Sequence, residues 1–144
     1  MKRIGPLLLA LSLALCTFAT PEVRAEDALQ EAFQEYLDFA NYEAGILVPQ
    51  QLTREIFESA TFIDTRDADQ YEQAHIPGAQ HIEWREVVSR QDEIPESGLV
   101  ILYCNTGSLS AQATFALRVL GHENVVVLQT GMIGWNADAP YKPE

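Results

Sequence analysis

Residues 99–131 decide the fold: Leu99-Val-Ile-Leu-Tyr-Cys104, then Asn105-Thr-Gly-Ser-Leu-Ser110, then Ala111-Gln-Ala-Thr-Phe-Ala-Leu-Arg-Val-Leu-Gly121, then His122-Glu-Asn-Val-Val-Val-Leu-Gln-Thr-Gly131. The first run is almost wholly apolar, the mark of a strand covered on both faces in a parallel sheet. A short polar loop follows Cys104. Residues 110–120 then set Ala113, Leu117 and Leu120 at helical spacing, with Gly121 as the stop. Val125–Leu128 is a second buried strand. Strand, helix and strand within about thirty residues make a parallel βαβ unit with a right-handed crossover.

Cys104 therefore stands at the carboxyl end of a buried strand, just before a helix N-terminus, where open α/β sheets hold their ligands. Inward-turned backbone N–H groups and the helix dipole would favour a thiolate or persulfide anion there. No cationic side chain lies within the loop, so backbone dipoles must carry most of this stabilisation. A buried, inert core thiol is the plain alternative.

Outward from this unit, residues 61–65 read as a strand and 67–73 as a helix capped by Asp67. His75-Ile-Pro-Gly-Ala79 is a turn, and residues 80–82 resume extended structure. Residues 83–90 read as a short helix and 93–98 as loop. Upstream, residues 52–60 read helical and 41–50 as a connector. Residues 26–40 form an amphipathic helix, predicted to pack through Leu29, Phe33 and Leu37.

The N-terminus has its own logic. Lys2 and Arg3 precede an apolar run from Pro6 to Ala19, and Val23-Arg24-Ala25 suits a signal peptidase. The run is short for a membrane span, so export with a cut after Ala25 is expected, into a periplasm or outside the cell, with no membrane contact after cleavage. The expected organisation is a signal peptide over 1–25, a helical extension and connector over 26–49, and one domain over 50–144. Of 144 residues, 9 are Lys or Arg and 21 Asp or Glu. Loss of residues 1–25 removes three bases and one acid, leaving a formal charge of −14 and Cys104 as the lone thiol. So acidic a chain has no basic stripe for nucleic acid. One cysteine builds neither a disulfide scaffold nor a multi-cysteine zinc site, and His81 and His122 show no ligand spacing. No metal or cofactor is expected.

Four motifs in order resemble the single-domain rhodaneses, a sulfurtransferase family. They are Phe62-Ile-Asp-Thr-Arg66, His75-Ile-Pro-Gly-Ala79, Tyr103-Cys-Asn-Thr-Gly107 and Gly131-Met-Ile-Gly-Trp135. The resemblance covers roughly residues 50–140. It implies a rhodanese-like α/β fold, a five-stranded parallel sheet with helices on both faces, here with an N-terminal helical extension. It also implies ping-pong transfer of a sulfane sulfur through a Cys104 persulfide. Asn105, Thr106, Gly107, Ser108, Leu109 and Ser110, with Arg66, are then the candidate substrate-binding residues. Small sulfur-containing anions, or a protein or low-molecular-weight thiol acceptor, are the implied partners of a monomer.

Two positions depart from the family pattern. Leu109 stands where the family loop commonly carries an arginine that would fork onto an anionic donor. Thr130 stands where the family often has the first glycine of a pair. A catalytically weak sulfur carrier or binding module is therefore the alternative. A cysteine phosphatase is excluded by Ser110, which occupies its phosphate-gripping arginine position, and a redox role lacks a resolving cysteine. Arg66 also has a structural reading, as the partner of Asp64. His75 is expected to brace its turn, and Trp135 and Phe115 to lie in the core.

Overall fold

The structure, a computed structural model, describes residues 24–143. Most of the leader expected over 1–25 lies outside the described residues; Ala25 opens the first helix, α1 (Ala25–Phe39). There follow β1 (Ile46–Leu47), α2 (Arg54–Ser59), β2 (Thr61–Asp64), α3 (Ala68–Gln73), β3 (Gln80–His81), β4 (Val100–Tyr103), α4 (Ser108–Val119), β5 (Val125–Leu128) and α5 (Gly131–Asp138). The five strands pair in parallel in the order β1-β5-β4-β2-β3. The expected sheet and its helical layers are present.

Alternation along β4, the central strand, divides the core. Val100 and Leu102 join Ile63, Val125 and the Ala113 and Leu117 face of α4. Ile101 and Tyr103 point the other way, with Phe62, Leu52, Leu128 and Trp135. All four β4 side chains are buried, as a strand with two covered faces requires. Thr53 and Asp67 cap α2 and α3, their side chains accepting from the N–H of Ile56 and Gln70.

Three local expectations need correction, and α5 was not anticipated. Residues 84–90 run through successive turns rather than a helix. The Glu83 carboxylate accepts the Arg85 N–H at 3.0 Å, and β-branched Val87 and Val88 resist helical packing. The connector hides β1, whose two residues are too few to show a period; Val127 and Gln129 donate to the carbonyls of Gly45 and Leu47. α5 carries two glycines and is held by the burial of Trp135 rather than by propensity. Phe115, placed in the core from sequence, is 37% exposed.

That exposed ring is where α1 lands. Phe33 stacks on Phe115 with centroids 5.7 Å apart, and Tyr36 meets it edge-on at 5.3 Å. Arg118 Nε donates to the Tyr36 hydroxyl at 3.3 Å. Leu29 and Leu37, expected to pack, are instead 56% and 58% exposed. The aromatic contact turns the helix so that its aliphatic residues face outward. Accordingly, Phe33→Ala is expected to cost about 1–2 kcal/mol, from one aromatic pair and its buried area. Leu37→Ala is expected to stay within about 0.5 kcal/mol. Urea unfolding of both variants checks this, and equal losses would contradict the packing.

Candidate functional site

Cys104 lies one residue past β4, a free thiol with 3% of its surface exposed. The chain then turns sharply into α4. Gly107 makes this possible: its φ is +89°, and a Cβ there would press to 3.1 Å from the Thr130 nitrogen and 3.3 Å from the Leu128 carbonyl oxygen. The turn directs peptide N–H groups of Thr106, Leu109 and Ser110 at the sulfur. Ser110 Oγ sits 3.5 Å from Cys104 Sγ and 3.1 Å from the Gly107 carbonyl oxygen. Its single proton can serve either acceptor, and a sulfur anion would draw it.

Two opposed effects act on the thiol. Burial is the larger single influence and pushes its pKa up. The Ser110 N–H and hydroxyl, then the N–H groups of Thr106 and Leu109, together outweigh it and hold the thiol below its ordinary value. Hydrogen bonds, rather than a charged side chain, lead this lowering.

Since the N–H groups turn inward, the loop's carbonyls turn out and need donors. The start of α5 supplies them: Met132 N–H donates to the Cys104 carbonyl at 2.8 Å and Ile133 N–H to that of Asn105 at 3.1 Å. Gly131, at φ +53°, allows this approach, because a Cβ there would collide with the Cys104 carbonyl. Thr130 precedes it at φ +61°, in the left-handed region that a glycine would occupy without strain.

A second brace comes from the β2 side. Arg66 is 8% exposed and forks onto Asp64 with Nε at 2.9 and 3.1 Å from the two carboxylate oxygens. It also donates to the Ala74 carbonyl at 2.6 Å and reaches Asn105 Oδ1 at 3.4 Å. The hydrogen bond it donates to Asp64 raises its pKa most, against the desolvation that lowers it. Arg66 thus reaches the loop through Asn105, and the salt bridge with Asp64 is formed. Asn105 Nδ2 in turn donates to Gln70 Oε1 at 3.1 Å.

Of the other candidates, Thr106 and Ser108 hydroxyls bond each other at 3.2 Å on the rim, and the Leu109 side chain is 39% exposed beside them. His75 stacks on Tyr71 at 4.1 Å, its Nδ1 2.8 Å from the Tyr71 carbonyl oxygen, bracing the turn as expected. Sequence reading missed Gln70 and the α5 amides; the Gly131-to-Trp135 motif was the available signal for the latter.

Residues 48–138 match the model of the rhodanese-like domain. The chain is 35% identical over 78 residues to a putative sulfur carrier protein, YrkF, of Bacillus subtilis, covering 54% of this chain and 42% of that one. It is 36% identical over 72 residues to the thiosulfate sulfurtransferase PspE of Escherichia coli, covering 49% and 69%. The chain thus spans less than half the length of the Bacillus protein. Among solved structures, a rhodanese-related protein from Thermoplasma volcanium superposes with a TM-score of 0.59 at 22% identity, covering 65% of this chain and 93% of that one, which shows the shared fold.

The hydroxyl and amide contacts on the sulfur can be separated. In Ser110→Ala the hydroxyl is lost while the three N–H groups stay. The pH midpoint of Cys104 alkylation is expected to rise from its lowered position, leaving less thiolate at neutral pH. An unchanged midpoint in pH-dependent iodoacetamide kinetics would mean that the hydroxyl serves only the Gly107 carbonyl.

Proposed function

The chain belongs to the rhodanese-like domain family, and on that footing we propose that it is a sulfurtransferase in which Cys104 carries the sulfur as a persulfide. The observation behind this reading is a buried thiol held below its ordinary pKa by the loop's N–H groups and the Ser110 hydroxyl. The Cys104 thiolate attacks the sulfane sulfur of a donor, the donor's S–S bond breaks, and the electron pair leaves with the remaining fragment. A thiophilic acceptor then attacks the outer sulfur, and the thiolate returns to the loop. The same amides that hold the thiolate can hold the persulfide anion, so both halves of the cycle use one cradle.

The loop says something about the donor. Leu109 presents no charge and Arg66 is neutralised by Asp64, so an inorganic anion such as thiosulfate finds only backbone dipoles. This favours a persulfide or other weakly charged donor, with a protein or low-molecular-weight thiol as acceptor. It also supports the second reading, a sulfur carrier of slow turnover, in line with the sulfur carrier protein named in Bacillus subtilis. We further propose that the chain is exported with cleavage after Ala25 and works as a monomer. Residues 50–144 form the transfer domain in this proposal.

Steady-state sulfur transfer tests the assignment in three proteins. Wild type should turn over with a sulfane donor, and Cys104→Ser should not; equal activity would remove Cys104 from the mechanism. Leu109→Arg should lower KM for thiosulfate about tenfold to a hundredfold, the scale of a charged hydrogen bond, with a smaller change in kcat. An uncharged donor should gain nothing from that substitution.

A further inference from the structure

A groove of about 490 Å³ lies between the 84–88 turns and the Gln112–Ala116 flank of α4. Its apolar walls are Trp84, Val87, Val88, Ala113, Phe115 and Ala116. At one end the Trp84 N–H donates to the Thr65 carbonyl at 3.0 Å, and the Thr65 N–H donates to the Tyr103 carbonyl at 2.8 Å, next to Cys104. At the same end Leu109, whose N–H points at the sulfur, stands one helical turn before Gln112 and Ala113 of the groove. Half-exposed Leu109 therefore continues the apolar surface toward the thiol.

Size and charge limit what fits. The volume is that of a small-molecule site rather than a protein epitope. The charged residue in the lining, Arg85, has its Nε 3.0 and 3.1 Å from the two Glu83 carboxylate oxygens. Gln112 is the remaining polar group. We infer that this groove holds the carbon part of the sulfur donor or acceptor, and that it takes an uncharged alkyl substituent borne on sulfur. The partner is a small organic thiol, arriving as R–S–SH and leaving as R–S⁻. Cys104 Sγ forms a bond to the outer sulfur, the R–S to sulfur bond breaks, and the proton stays on the transferred atom, so nothing is oxidised or reduced overall.

This inference rests on Cys104 being the sulfur-bearing thiol, and its test does not depend on turnover. The whole chain is treated with methyl, propyl and pentyl methanethiosulfonates, which form Cys104–S–S–R and release methanesulfinate. Rates, read at Cys104 by peptide mass, are divided by those of N-acetylcysteine with the same reagent. The quotient should climb with chain length, toward about threefold to fourfold per methylene for complete burial. Val88→Glu should flatten that climb, and sulfonatoethyl or trimethylammonioethyl reagents should fall below propyl. A flat profile overturns the groove, as does a gain confined to the sulfonate, which would make Arg85 an anion receptor. A climb in a protein that moves no sulfur keeps the groove and removes the transferase reading. A flat profile in an active enzyme does the reverse.

Discussion

Peptide polarity around Cys104 is the constraint on which the rest of this molecule depends. Three N–H groups can converge on one sulfur only if the carbonyls of the same loop face away from it. Those carbonyls face the next element, and one buried there without a donor would cost about 1–3 kcal/mol. Met132 and Ile133 donate to the first two. The start of α5 is thus part of the sulfur site although none of its side chains need touch sulfur. Glycine at 107 and 131 follows from the same demand, since each stands where a Cβ would meet backbone.

The sheet supplies what that loop needs to stay in place. β4 is central, paired to β2 and β5 over most of its length, so Cys104 leaves the most constrained strand of the fold. The Asp64–Arg66 pair, buried to 0% and 8% exposure, fixes the neighbouring strand end and passes one contact to Asn105. A buried pair of this kind adds little net stability, but loss of either partner leaves an uncompensated charge in the interior. Its place beside the loop makes it a brace for geometry rather than a source of positive potential. The thiol is consequently activated chiefly by dipoles, which act over short range and discriminate weakly among anions.

Much of this was legible in the sequence because the signals were long or chemically specific. The apolar run from Leu99 to Tyr103, the helix after it and the Val125–Leu128 run declared the parallel unit and put Cys104 at its carboxyl end. Asp67 announced its helix through its cap. The unread parts are those decided by tertiary contact. β1 has two residues and exists because β5 offers it an edge. α5 has poor helix formers and is fixed by Trp135 burial and by the loop carbonyls it serves. The orientation of α1 turned on one aromatic ring of α4, which aliphatic spacing along α1 could not reveal. At the site, the cysteine and its loop could be read as a unit, whereas Gln70 reaches Asn105 across 35 residues of chain and leaves no local trace.

The central claim is that the loop amides favour a sulfur anion on Cys104 enough for it to hold a transferred sulfur. Intact and peptide mass spectrometry of the chain after brief exposure to a sulfane donor tests this most directly. The account predicts a gain of one sulfur atom, about 32 Da, on the Cys104 peptide, removed by an added thiol acceptor. A Cys104 that is alkylated readily by iodoacetamide yet never acquires that mass would contradict it.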